Sequence, residues 1–285
     1  MSSPGEPSVC GLDPSEAERL VGRGAVRVLD VRNPDEFVGL GHIPGALLLP
    51  VDLIPCAPAT LPRDGAPLLV CCEHGVRSAH AARFLTRAGY PEVFNLTGGM
   101  SCWRGARDHS PGEGYAALGP SSWIVENADL LPRGGRALDL ACGTGRHALL
   151  LAAAGFAVTA VDRDGEKIAA LRATAQRVGL DLRAETLDLE AEGADLGREA
   201  YDLVLGVHYL HRPLFPAIVR APKRGGLLLY ETFTVAQAAR GRPTDPDFLL
   251  RPGELKSLIA PLEILREREG EFESRMVAAV AARRS

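Results

Sequence analysis

Cys72-Glu73-His74-Gly75-Val76-Arg77-Ser78 and Asp139-Leu140-Ala141-Cys142-Gly143-Thr144-Gly145 are the segments of this 285-residue chain whose residue types and spacing suit chemistry. In the first, a cysteine stands at the carboxyl end of an apolar strand, ahead of a tight loop and a helix. Loop N–H groups converge at such a place and the helix N-terminus adds partial positive charge, so anions are favoured there. Both effects lower a thiol pKa and favour the thiolate, which is the nucleophilic form. Gly75 lets the loop curl, and Arg77 is suited to neutralising an oxyanion or a terminal persulfide.

The second segment is a glycine turn between the strand Ala137-Leu138-Asp139-Leu140 and a following helix. Roughly 20 residues on, a second strand ends in Asp162, a spacing that lets a carboxylate grip ribose hydroxyls. A dinucleotide site is the first reading of that geometry. Against it, the pattern begins with an acid inside the strand, Asp139, and lacks a third glycine at nucleotide-binding spacing.

Elements of alternating type must hold these loops. Residues 25–31, 67–71 and 93–96 read as buried strands, with helices over 34–40, where Asn33 is an N-cap, and 78–88. Gly41 to Ala46 is turn chemistry. A stretch rich in Gly, Pro, Ser and charge then intervenes, and the linker is placed at 109–118. Beyond it, strands are expected at 136–141, 157–161, 203–207 and 226–230, and helices at 147–154 and 166–178. Residues 262–283 suit a terminal antiparallel pair joined near Gly270. Alternation of strand and helix predicts an α/β fold with mostly parallel sheets.

The first block resembles a rhodanese-like sulfurtransferase domain. The resemblance rests on the cysteine loop together with Leu29-Asp30-Val31-Arg32, Glu36-Phe37, Gly41 to Ala46, and Gly98-Gly99-Met100 with Trp103, in that order, and covers about residues 10–108. It implies Cys72 as persulfide carrier and Arg77 as anion binder, with Asp30, Arg32 and His42 holding the fold. Four residues separate Cys72 from Arg77, whereas five separate Cys71 from it, as in cysteine phosphatases. Starting from Cys72 puts Gly75, Arg77 and Ser78 in the sulfurtransferase arrangement, which leaves Cys71 as the last residue of a buried strand. Glu73 opposes thiolate formation, unless it points outward.

The second block resembles class I S-adenosylmethionine-dependent methyltransferases over residues 119–285, with Val161-Asp162-Arg163-Asp164, Leu187-Asp188-Leu189 and Tyr201 to Leu205 following the glycine turn. Ala141 stands where that motif often has glycine. The resemblance implies S-adenosylmethionine as cofactor and a Rossmann-like domain whose parallel sheet ends in antiparallel strands. Gly143 and Gly145 would let backbone approach the methionine part, Asp162 take the ribose, and Asp188 and Leu189 flank the adenine. Asp139 would orient the loop or reach the cofactor amine through water. After the strand 203–207 come His208, Tyr209 and His211 in place of the Asn/Asp-Pro-Pro-aromatic signature of many amino-group methyltransferases. His208 or His211 is a base or a satisfied neighbour of the pocket; Trp123 and Tyr230 are pocket walls or core. Glu231-Thr232-Phe233 and Phe248 to Leu255 carry a further resemblance to small bacterial tellurite-resistance methyltransferases.

The bulk numbers limit the alternatives. Length allows two ordinary domains. A net charge of −4 gives no reason to expect nucleic acid. The six cysteines form no CxxC pair or Cys/His quartet, so no metal is expected. The first residues lack a basic region followed by an apolar core, and no apolar run approaches the ~20 residues of a membrane span. A cytoplasmic protein with reduced thiols is the expectation. The combined reading is a methyltransferase for a small soft nucleophile fused to a sulfur-carrying module. Two others stand beside it: an RNA or protein methyltransferase with a sulfur-donating domain, and a methyltransferase regulated by a non-catalytic sensor. Oligomeric state is not readable from these residues.

Overall fold

The structure is a computed structural model that describes residues 9–111 and 118–285. Two compact units divide the chain, one carrying a five-stranded sheet and the other a seven-stranded sheet. The expected linker at 109–118 falls largely on residues 112–117, outside the described residues.

The first sheet is built from β1 (Cys10–Leu12), β2 (Arg27–Asp30), β3 (Leu47–Leu48), β4 (Leu68–Cys71) and β5 (Val93–Leu96), in the order β1-β5-β4-β2-β3. Every pairing is parallel. The helices are α1 (Pro14–Gly22), α2 (Pro34–Gly39), the short α3 (Ala57–Thr60) and α4 (Val76–Arg87). Side chains alternate between the faces, as a period of two requires. Val28, Leu69 and Cys71 pack with Ala17 of α1, Phe37 of α2 and Met100. Leu29, Val70 and Cys72 pack on the other side with Ala81 and Leu85 of α4. The two adjacent cysteines therefore lie in different cores. Asn33 starts α2 through a capping box with Glu36. The edge strands β1 and β3 were not foreseen, because two or three residues show no periodicity.

The second sheet contains β6 (Gly135–Leu140), β7 (Phe156–Asp162), β8 (Leu182–Thr186), β9 (Tyr201–Val207), β10 (Pro222–Phe233), β11 (Glu263–Phe272) and β12 (Arg275–Arg283). Their order is β11-β12-β10-β9-β6-β7-β8, parallel from β8 to β10 and antiparallel in the last two pairings. The helices are α5 (Ser122–Glu126), α6 (Arg146–Ala153), α7 (Gly165–Val178), α8 (Phe215–Arg220) and α9 (Glu254–Leu258). β6 has β7 on one side and β9 on the other, so strand order reverses there, where open α/β sheets bind ligands beyond their carboxyl ends. No helix among the described residues is long and apolar enough to cross a membrane.

The terminal pair forms as expected, but its turn is not at Gly270. That glycine lies inside β11 opposite Val277, and the chain reverses at Glu273-Ser274, with φ of 49° and 61°. Positive φ at both central residues marks a type I′ hairpin turn, whose twist matches the flanking strands. The usual Asn-Gly signal is absent, so sequence placed the turn too early.

Candidate active sites

Cys72 follows β4 directly, and Gly75, at φ of 84°, is the N-cap of α4. A Cβ at Gly75 would stand 3.2 Å from the Leu96 carbonyl and 3.3 Å from the Gly98 nitrogen, so the curl needs glycine. Two bonds hold the loop from outside: Met100 N–H donates to the Cys72 carbonyl at 2.8 Å and Ser101 N–H to the Glu73 carbonyl at 3.0 Å. Cys72 Sγ lies 3.3 Å from the Ser78 amide nitrogen and 3.2 Å from the Ser78 hydroxyl oxygen. Burial, the largest influence on this thiol, pushes its pKa up. The Ser78 hydroxyl and the amides of Ser78, His74 and Gly75 together outweigh it, and the pKa falls below its ordinary value. Cys71 has the opposite fate: burial first, and the Asp30 carboxylate second, push its thiol well up.

The charges around the loop are arranged in pairs. Arg77 holds Glu36 with two hydrogen bonds of 2.7 and 2.5 Å. The pair raises the Arg77 pKa and lowers that of Glu36 to about 2. Arg77 thus secures the loop to α2, and its remaining influence reaches the Cys72 sulfur. Glu73, whose charge opposes a thiolate, turns to Arg32 at 3.0 Å. Arg32 is fully buried, grips Asp30 through Nε and Nη2, and donates to the Gly41 carbonyl. His42 stacks on Phe37 with ring centroids 3.6 Å apart. Asp30, Arg32 and His42 are therefore framework residues here.

In the second unit, Ala141, Gly143 and Gly145 all take positive φ, at 51°, 56° and 85°, and the turn delivers its amides toward β7. Gly143 N–H donates to Asp162 Oδ2 at 2.8 Å and Asp164 N–H to Oδ1 at 2.9 Å. A Cβ on Gly143 would meet nothing within 4 Å, whereas one on Gly145 would stand 2.4 Å from Leu171. The first glycine leaves an open cradle and the second allows close helix packing. Ala141 accepts a conformation that favours glycine. Asp139 is 1% exposed, and its Oδ2 has no hydrogen-bond partner among the described residues. Burial pushes its pKa up to about 7, against the pull of the Ala148 amide and Arg146.

A cavity of about 510 Å³ opens beyond these strand ends, and it brings together Asp162, Asp188, Leu189, His208 and Tyr209. Ala141, Arg163, Leu187, Glu190, Leu210, Phe233, Arg242, Pro243 and Phe248 complete its lining. His208 has a φ of 59°, in the left-handed region that few residues other than glycine adopt, and it stacks on Phe233 at 4.5 Å. Burial, followed by Arg275 and Arg146, pushes its pKa down to about 4. The Tyr209 hydroxyl is buried with no partner among the described residues, and burial pushes its pKa up.

Other expected site residues lie elsewhere. Tyr230 is fully buried, packs on Phe215 at 5.2 Å and donates to the Tyr209 carbonyl at 2.7 Å, so it supports the cavity floor and is not a wall. Trp123 is also core: its Nε1 donates to the Val280 carbonyl at 3.2 Å and its ring lies under Arg268. His211 lines a separate depression with Arg212 and Asp247. Asp139, Gly143 and Gly145 are not among the residues that line this cavity. Arg242 and Phe248 went unforeseen because they come from an irregular segment with no periodic signal. Phe233 could have been placed, since it ends β10 on the cavity side.

A family model of the rhodanese-like domain matches residues 13–106, and one of the tellurite resistance protein TehB matches residues 115–266. A sulfurtransferase of Allochromatium vinosum is 38% identical over 89 residues, which are 31% of this chain and 81% of that protein. The thiosulfate sulfurtransferase GlpE of Ectopseudomonas mendocina is 40% identical over 93 residues, 33% of this chain and 83% of that one. Among solved structures, TehB from Haemophilus influenzae superposes with a TM-score of 0.51 at 23% identity. It covers 60% of this chain, and this chain covers 64% of it, a little under two thirds, so its likeness speaks for the fold alone. The chain belongs to two families at once, the rhodanese-like sulfurtransferase domains in its first unit and the TehB family of S-adenosylmethionine-dependent methyltransferases in its second.

Proposed function

We propose that the second unit methylates a small soft nucleophile, a thiol, sulfide or a species derived from a tellurium or selenium oxyanion, and that the first unit carries sulfane sulfur on Cys72. The observation that carries the reading is that neither of the two ring side chains that follow β9 into the cavity, His208 and Tyr209, is a competent base. His208, with a pKa of about 4, is too weak to deprotonate a hydroxyl, and Tyr209 is held protonated. A nucleophile that is already anionic needs no base. Phe233, Pro243 and Phe248 give the cavity an apolar wall, and the Arg242 guanidinium, which has no partner among the described residues, supplies a positive charge beside it.

S-adenosylmethionine fits the residues present. Asp162 still has lone pairs for ribose hydroxyls, Asp188 and Leu189 line the cavity where they would flank the adenine, and the open side of Gly143 would admit the methionine part. The unpartnered Asp139 oxygen suits the cofactor ammonium, directly or through water. The bound cofactor supplies an electrophilic methyl group. The cavity residues would have only to hold the acceptor in line with that methyl group and keep the cofactor oriented.

In the first unit, a Cys72 thiolate attacks the outer sulfur of a donor such as thiosulfate, and sulfite leaves. A dithiol reductant then releases the carried sulfur as hydrosulfide and becomes a disulfide, which restores Cys72. An acceptor screen that reads S-adenosylhomocysteine across sulfide, small thiols, selenite and tellurite tests the methyl transfer. Turnover with catechols or amines and none with chalcogen acceptors overturns it. Mass spectrometry after thiosulfate treatment is expected to find the extra sulfur on Cys72 and none in Cys72→Ala; a mark on Cys71 reverses the assignment.

A further inference from the structure

The Ser78 hydroxyl has one hydrogen and two acceptors in reach. Its oxygen lies 2.6 Å from Asn95 Oδ1 and 3.2 Å from Cys72 Sγ. Asn95 stands in β5, and its Nδ2 donates to the Gly75 carbonyl at 3.1 Å. That bond fixes which way the amide faces: a flipped Asn95 would set its oxygen against the Gly75 oxygen. Asn95 Oδ1 is therefore held toward Ser78. While Cys72 is a thiol, the Ser78 hydrogen goes to Asn95, and the Ser78 oxygen can accept the S–H. When Cys72 becomes a thiolate, the sulfur needs that hydrogen, and it competes with Asn95 for it.

We propose that Asn95 is a positioning residue of the sulfur-carrying loop, holding the Ser78 hydroxyl away from Cys72 and so limiting how much thiolate the loop keeps. The thiolate is then stabilised first by fixed loop amides, and by Ser78 only at the expense of the Asn95 bond. Hydrogen bonds to a charged group are stronger than those between neutral groups, enough for the competition to matter. Other charges facing the thiol are already paired: Arg77 of α4 with Glu36 of α2, and Glu73 with Arg32 after β2. His74 is exposed. None of these pairs includes Asn95 or Ser78; Asn95→Leu also removes the bond to the Gly75 carbonyl, and the Ser78→Ala background separates that loss from the effect of the hydroxyl.

This inference rests on Cys72 as the reactive cysteine and predicts a sign that loss of a supporting residue would not give. Asn95→Leu frees the hydroxyl for the sulfur. In the full-length protein, site-resolved alkylation of Cys72 by iodoacetamide at mildly acidic pH is expected to become roughly threefold faster or more, with the midpoint of its pH profile lower. Ser78→Ala moves the midpoint up. In the Ser78→Ala background, Asn95→Leu has no effect. If Asn95→Leu does not fold, judged by circular dichroism, Asn95→Ala decides by the same downward shift and the same dependence on Ser78. A midpoint that stays or rises in folded Asn95→Leu, or a downward shift that persists without Ser78, overturns the inference. Alkylation reads ionisation without any sulfur donor, so it can succeed even where the thiosulfate experiment finds no persulfide; that second result would count only against the sulfur-carrying function.

Discussion

Asp139 carries a pH signature of its own. Its folded pKa of about 7 stands above the ordinary 3.8, so the folded protein holds a proton that the unfolded chain gives up. Stability contributed by this group is intact below pH 3.8 and falls as the pH rises toward 7. Asp139→Asn removes the penalty without changing shape. It is expected to stabilise the protein by on the order of 2 kcal/mol at pH 8 and little at pH 4, as measured by thermal unfolding at both. The same variant should weaken S-adenosylmethionine binding about tenfold by calorimetry, since a neutral amide cannot answer the cofactor ammonium. Equal stabilisation at both pH values would show that the buried carboxylate is not the cause. The Cys71 and Cys72 pair teaches the related lesson that one step along a strand changes the core a side chain enters and reverses the direction of its pKa shift.

Among the elements, α5 depends on a buried ion pair. Glu231 of β10 accepts from the Ser121 hydroxyl at 2.7 Å and from Arg268 of β11 at 2.6 Å, with both charged side chains less than a tenth exposed. Arg268 also bonds Glu126 at the end of α5 and lies over Trp123. The Ser121 N–H donates to His147 Nε2 in α6, the helix that follows the glycine turn. Arg268→Ala leaves Glu231 buried and unpaired, and a loss of about 3–5 kcal/mol is expected in denaturant unfolding. The double variant Arg268→Met with Glu231→Leu should recover at least half of it; a single variant as stable as the parent would remove the ion pair from this role. Such contacts are not legible in sequence. β4 was, because it is an unbroken apolar run, and so were β6 and β9, whose apolar residues outweigh Arg136, Asp139 and Asp202; β4 and β6 also lead into loops turned by glycine. β8 was not, because Arg183 and Glu185 interrupt its apolar pattern at the sheet edge. Strand alternation could not say which aromatic faces the cavity, and so Tyr230 and Trp123 read as walls when they are core. The far wall, Arg242 and Phe248, is set by tertiary approach alone.

At the scale of the whole chain, the question is what two chemistries gain from one polypeptide. A tethered pair has an effective mutual concentration of about a millimolar for short flexible connections, far above dilute free enzyme. That gain matters only if sulfur released from Cys72 is captured before it escapes, because hydrosulfide in bulk solution reaches cut and intact enzymes alike. The transient, more than the final rate, separates these cases. With thiosulfate, a dithiol and S-adenosylmethionine at nanomolar enzyme, the intact chain is expected to form methanethiol without a lag. A chain cut at a protease site inserted after Pro111 should show a lag while sulfide accumulates, and then the same final rate. The two separate activities should be unchanged by the cut, which controls for damage. Equal lags in cut and intact protein would mean that the units share a chain and no intermediate. A lag confined to the cut protein would mean that the anion leaving the cysteine loop is the nucleophile that the second unit's cavity is suited to accept.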